Sequence, residues 1–526
     1  MLGLTRRRVR AFTVGSLLLA LLLASFILYA HVLIHKPSVQ EALVERLARD
    51  TGYRIRTGRI ELSLWGGIGL LADDFLAASR EGADRVEAES LRVVLDAGEL
   101  LRGRLVPVSL ALVRPRIEID LPERGTAGAD KPSRFPFPWF PGLESFSFQE
   151  GTLIFRNRPY GAEGLSLEAR VDRLDDSALT LTSVGRLLFR DREVPFRVHG
   201  GLSVPSADGG VGPFRLQTTV EGIPMTWVPW PDDLAFEAGT LSARFALQGV
   251  PDQPFAVDGR ATMRNVRFLL RDGEQQKPYQ PPEIVVLFRG NVEKSHLDLP
   301  DLTLRTGDLS LRLGLEVDLP ARESPRVRLH VQSDPMPFAL MERYFPTPLL
   351  APWLEEELFP ILRSGTVRLE HLMITGSLEE IESLDRPEHA DALSLAVACS
   401  DFLVFGPTIP TPFRNVSARV HYREGALLIT ELEGSLDDST IREGRLEVRD
   451  LLEEHPVWDI LVDGDFRLPT LMKQREIAFI PPDAFRKLER IGPMTGSLSC
   501  RAWFHHKGEW AFPKTREGVF VVRDGL

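Results

Sequence analysis

The chain has 526 residues, too long for one ordinary core and suited to roughly two to four domains. Its 74 acidic residues outnumber 63 basic ones, for a net charge of −11. That balance excludes a generic basic nucleic-acid face. With 43 % apolar and 26 % charged residues the chain is globular, not disordered. Its two cysteines, Cys399 and Cys500, are too far apart to give a zinc-ligand spacing and too few for a disulfide framework.

The first element in chain order is an apolar run over 11–34, whose single ionisable residue is His31. At about 1.5 Å per residue it extends roughly 36 Å, enough to cross a hydrocarbon core of about 30 Å. Arg6, Arg7, Arg8 and Arg10 stand immediately before it with no acidic neighbour. By the positive-inside rule they hold the N-terminus in the cytoplasm, and the bulk of the chain is exported. A cleaved signal peptide is the competing reading, but its apolar region is normally about 7–15 residues and ends at small residues. Here Tyr29, His31 and Leu33 crowd the exit. The expectation is a single-pass anchor with a periplasmic body.

The segment 38–49 predicts a short helix, with Val39, Leu43 and Leu47 at four-residue spacing and Ser38 as its cap. From Tyr53 onward the dominant signal has period two. Leu309, Leu311, Leu313, Leu315, Val317 and Leu319 alternate with polar or small residues, the pattern of a half-buried strand. The same alternation marks Ile60 to Leu64, Ile117 to Leu121, Leu165 to Leu167, Leu179 to Leu181, Val327 to Val331 and Leu446 to Val448. Gly151, Gly185, Gly249, Gly290, Gly376 and Gly434 are expected at turns between such runs. The pattern continues for long enough to give on the order of thirty strands. The second helical stretch, 336–362, is broken by Pro346, Pro348 and Pro352 into short amphipathic pieces. No exact sequence period accompanies the strands.

Motifs that resemble catalytic or cofactor sites fail on context. Gly67, Gly69 and Ala72 fit G-x-G-x-x-A, but Asp73 and Asp74 follow directly and the next pattern is again β rather than a helix. His505 and His506 are adjacent, so in a strand they face opposite ways and cannot easily share a metal. Asp437–Asp438 and Glu355 to Glu357 read as solvated turn and helix faces. No H-E-x-x-H, G-x-S-x-G or phosphate loop is present. The chain is expected not to be an enzyme and to use no cofactor or metal.

The N-terminal order of elements resembles the AsmA-like family of bacterial envelope proteins. The resemblance is carried by the single span, a helix running into Leu47 to Gly52, Gly58 to Leu64, Gly66 to Gly69, Ala72 to Phe75, Ala88 to Val93, Glu99 to Gly103 and Val113 to Ile117. A second block is similar to the YhdP-type subgroup. It comprises Arg343 to Pro346, Ala351 to Leu354, Gly365 to Val367, Ile374 to Gly376 and the β unit from Val416 to Asp450. Chains of that subgroup are much longer, whereas this one stops at Leu526. The likeness implies a mainly β fold: one transmembrane helix, then an elongated, twisted antiparallel sheet curved into an open hydrophobic groove with a few short helices.

The expected organisation is a cytoplasmic basic tail over 1–10, the span over 11–34 and an AsmA-like region over 35–122. A Pro/Gly linker over 123–141 follows, then a β-groove region over 142–335, a helical insertion over 336–362 and a YhdP-like β-groove region over 363–526. The implied function is phospholipid transport from the inner toward the outer membrane, supporting outer-membrane lipid homeostasis. Leu309, Leu311, Leu313, Leu315, Val317 and Leu319 are the candidate groove-lining residues. The implied partners are phospholipids, the inner membrane and lipid-handling proteins of either membrane, with no nucleic acid. The alternative is a periplasmic structural or assembly factor that pairs strand edges with clients. Alternation alone does not separate a groove from a closed core.

Overall fold

The computed structural model describes residues 36, 40, 41, 44, 45, 48 and then 54–524, apart from 64–66, 79–84, 103, 105, 120–142, 156–163, 175–177, 190–191, 204–211, 228–233, 251–252, 273–274, 294, 320–323, 345–358, 385, 407–408, 454, 474–494 and 508–513. The expected membrane span, Arg6, Arg7, Arg8, Arg10, the 123–141 linker and Glu355 to Glu357 lie outside the described residues. Among those described, no helix is long and apolar enough to cross a membrane.

The protein is mainly β, with 27 strands and a few short helices among the described residues. Two compact units divide it: one holds the described residues up to Ile223 with Arg244–Gln253, the other Pro224–Ala243 with Pro254 onward. In the first unit, β1 (Arg54–Arg56) and β2 (Ile60–Ser63) both pair with β3 (Gly69–Ala78), which pairs with β4 (Arg85–Leu95). Next come β5 (Pro107–Val113) and β6 (Arg116–Ile119), two collinear halves that both pair with β4. A meander of β7 (Ser145–Phe155), β8 (Gly164–Arg173), β9 (Ala178–Phe189), β10 (Arg192–Ser203) and β11 (Phe214–Pro224) completes it.

The expectation of a purely antiparallel sheet is corrected at one place. Strands β5 and β6 pair with β7 in parallel. A parallel pair needs a crossover of a dozen or more residues, and 120–144 supplies that length. Here the apolar face closes into a core: Phe75, Val86, Leu112 and Leu143 are at most 2 % exposed, and Val44 of the described helical turn packs against them.

Strand β12 (Leu234–Gly249) is divided between the units after Ala243. From β13 (Phe255–Asp272) on, the strands of the second unit run as an antiparallel meander, in which β13 pairs with β14 (Gln275–Tyr279) and with β15 (Ile284–Glu293), which continues β14 along the same neighbour. Then follow β16 (His296–Thr306), β17 (Leu309–Asp318) and β18 (Arg326–Ser333), whose line is resumed by β19 (Met336–Pro337). The sequence continues through β20 (Leu362–Ser377), β21 (Leu393–Gly406), β22 (Ile409–Arg423), β23 (Ala426–Leu436) and β24 (Ser439–Arg449). It ends with β25 (Val457–Arg467), β26 (Ser497–Lys507) and β27 (Lys514–Arg523).

Three of the broken strands are interrupted at proline, at Pro115, Pro281–Pro282 and Pro335, whereas β1 and β2 are separated by Thr57, Gly58 and Arg59. Proline has no N–H for the ladder, so pairing stops there and resumes beyond it. Strands also bend at bulges. Asp401, Asn415 and Glu431 have φ of 57°, 51° and 52°, each at a register shift in β21, β22 or β23. Such bulges increase local twist and bend the strand. Glu424 and Gly425, with φ of 52° and 74°, form the two-residue turn joining β22 to β23, as a type I′ hairpin requires.

Two local expectations are corrected. Gly151, Gly185, Gly290, Gly376 and Gly434 lie within strands, and Gly249 ends one. At Gly290 a side chain would run into the carbonyl of Asp298 on the neighbouring strand, so close backbone approach selects glycine there. The 336–362 segment begins as strand, and its described helical pieces are a helix at Phe338–Tyr344 and a 3-10 turn at Phe359–Ile361.

Candidate functional site

Residues directly opposite in an antiparallel ladder share a face, so the register assigns the faces of the second unit. One face carries nearly unbroken apolar rows. Leu297 of β16 faces Val317, which faces Val327. In the next row Leu299 faces Leu315, then Leu329, Ile374 and Leu393. A third runs Phe288, Leu302, Leu313, Val331, Leu372, Leu395, Tyr422, Leu427, Val448 and Trp458. Leu369, Val397, Val420, Ile429, Leu446, Ile460 and Phe504 make a fourth.

Of the candidate groove residues, Leu309, Leu311, Leu313, Leu315 and Val317 share this face of β17, and Leu309 is 5 % exposed. Leu311, Leu313, Leu315 and Val317 are only half-buried. Leu319 continues the alternation but lies past the strand's end and is 51 % exposed. The half-burial recurs across β15 to β26. A fully buried cluster among the described residues of this unit has Phe338, Phe359, Val367 and Phe402 at its centre. Within the rows Val331, Leu369, Tyr422 and Val448 are buried, at 6 %, 9 %, 9 % and 1 % exposed, and the row residues around them are mostly half-buried.

The opposite face is charged. Arg328 pairs with Glu316 at 2.9 Å, His296 with Asp318 at 2.7 Å and Arg312 with Asp334 at 2.5 Å. The Asp318 hydrogen bond raises the His296 pKa. Exposed pairs of this kind add little stability, but they show which face meets water. At β24 to β27 the carboxylate of Asp459, 6 % exposed, is held by Arg449 at 2.5 Å, His505 at 2.8 Å and Arg516 at 3.4 Å. Burial pushes its pKa up, but the His505 and Arg449 hydrogen bonds outweigh that and leave it below the ordinary carboxylate value.

The sign of that shift sets a prediction. A depressed folded-state pKa contributes stability above the unfolded value near 4, and loses it as pH falls through the folded value. Asp459→Asn should therefore lower stability at pH 7 by about 1–3 kcal/mol, discounted because the cationic partners are half exposed. Urea unfolding should show the gap between variant and wild type closing below about pH 4. A gap independent of pH would assign the loss to packing instead.

His505 and His506 divide as expected: His505 lies on the charged face with Asp459, and His506 opposite Trp458 on the apolar one. Asp437–Asp438 form the turn between β23 and β24, where Asp438 accepts a 3.0 Å hydrogen bond from Thr470. Gly69 and Ala72 lie within β3, not at a strand-to-helix turn, so the glycine motif has no dinucleotide geometry. Both thiols point to the apolar face. Cys399 faces Ala418 and Cys500 faces Gly464, and burial pushes Cys399 up to about 11 and raises Cys500.

Sequence reasoning missed a recurrent device at the ends of strands. Pro224, Pro337 and Pro469 each precede a residue buried at the start of a helical turn: Met225 at 0 %, Phe338 at 2 % and Thr470 at 5 % exposed. Downstream of each stands a glycine of positive φ, at Gly239, Gly365 and Gly496, followed by Thr or Ser and then Leu or Val. The Pro-to-Gly pairing is legible in the sequence once unequal spacing is allowed.

Comparison of the chain with protein-family models, curated proteins and solved structures finds no match in any of the three.

Proposed function

We propose that the chain is a carrier of apolar ligands on an open sheet face and, more particularly, a phospholipid conduit of the AsmA-like, YhdP type. It is anchored in the inner membrane by 11–34, with its body in the periplasm and its lipid directed toward the outer membrane. The observation that carries this reading is the set of apolar rows in register from β15 to β26, most of their residues half-buried, backed by a charged face.

A two-chain lipid crossing water exposes about thirty methylenes at about 0.8 kcal/mol each, a barrier of roughly 25 kcal/mol. That corresponds to about one event in days. An apolar face that covers the acyl chains while the headgroup stays wet removes most of it. Strands bent at bulges favour a trough over a flat sheet. The competing assembly-factor reading would place polar residues on the face that here carries apolar rows. The test is whether Leu313→Asp strips bound phospholipid from the full-length chain while Arg312→Gln, on the opposite face, leaves it in place.

A further inference from the structure

We propose that the helix Phe338–Tyr344, α1, is a strap across one end of the apolar face that lifts to admit an acyl chain; this rests on the conduit reading. The helix leaves the sheet at β19 and its two ends are held on strands far apart in the meander. At its start Phe338 packs edge-on against Phe359 and Phe402, with ring centroids 5.3 Å and 5.5 Å away. Phe402 belongs to β21, on the apolar face opposite Val416. At its end the Tyr344 hydroxyl stands over Gly307, in the turn between β16 and β17. The Tyr344 carbonyl accepts a hydrogen bond from the hydroxyl of Tyr279 in β14.

The closure is a balance of opposing contacts. The Tyr279 hydrogen bond holds the far end down, and burial keeps that phenol protonated with a pKa of about 12. Against it, Thr306 beside Gly307 is 5 % exposed and its hydroxyl has no partner among the described residues. A buried hydroxyl without a partner opposes the state that buries it. One bond favouring closure and one orphaned group opposing it are what a movable element requires. The native Cys399 reports on the motion, because it packs against the Phe338 cluster, whereas Cys500 lies on β26, five strands beyond β21 in the meander.

The experiment uses the full-length chain and follows alkylation by N-ethylmaleimide, with peptide mass spectrometry resolving the two cysteines. Tyr279→Phe should speed modification of Cys399 roughly five-fold, and Thr306→Val should slow it by a similar factor, the net effect of one ordinary hydrogen bond. Cys500 should keep its rate in both. Uptake of fluorescent phosphatidylglycerol from vesicles should change in the same directions. Equal Cys399 rates in all three proteins, or parallel changes at Cys500, would overturn the strap. Shifted Cys399 rates with no lipid uptake in any form would instead overturn the conduit reading and the strap's role in it.

Discussion

Leu313→Asp is expected to cut the phospholipid bound by the purified full-length chain, with transfer falling on the order of 10²-fold. Leu313 sits in the longest apolar row, between Leu302 and Val331 on neighbouring strands. A carboxylate there must either lose water against acyl chains, at a cost of several kcal/mol, or hold water in the path of the lipid. Either outcome breaks the continuity of the rows. Arg312→Gln, one residue away, changes the face that carries the 2.5 Å pair with Asp334 and should leave lipid content unchanged. Lipid phosphorus per chain and vesicle-to-vesicle transfer check the pair. Equal losses in both variants would mean general unfolding, and no loss in Leu313→Asp would remove the groove.

The second large effect is expected at Phe338→Ala. Its ring is 2 % exposed and joins Phe359 and Phe402 at the centre of the buried cluster. Removing a buried phenylalanine costs about 3–5 kcal/mol. In a meander each strand contacts mainly its neighbours, so the loss should stay local as it does in repeat proteins. Amide hydrogen exchange in β20 and β21 should accelerate by roughly 10²–10³-fold, while β24 to β26 change little. Uniform acceleration across the unit would show that the sheet unfolds as one body and contradict the local account.

The strands were legible because the side-chain period of two survives in a half-solvated sheet. The β17 run shows it most clearly, with Leu309, Leu311, Leu313, Leu315 and Val317 on one face. The rows were not legible, for a physical reason. Bulges insert one residue, so Ile429 and Leu432 share a face although three positions apart, as do Cys399 and Phe402. A strict alternation rule assigns one of each pair to the wrong side.

Half-burial was equally hidden, since it depends on which strands lie alongside and on what covers them. The helices at Ala97–Leu101, Leu378–Glu382 and Leu468–Lys473 escaped notice because five or six residues cannot show a helical period, whereas Phe338–Tyr344 lies in the stretch read as helical. The helix at Leu378–Glu382 nevertheless announces itself through the capping box of Ser377 and Glu380. The parallel pairing of β5 and β6 with β7 is non-local and left no trace in spacing.

On the proposed reading acyl chains lie on the apolar rows and nowhere on the charged face. Site-specific photo-crosslinking in cells labelled with radioactive phosphate tests it most directly. A photoreactive residue is placed in turn at Leu313, Leu329, Arg312 and Arg328 of the full-length chain. Phosphate-labelled adducts are expected from Leu313 and Leu329, with little from Arg312 and Arg328. Labelling that does not distinguish the faces, or none from Leu313 and Leu329, would contradict it.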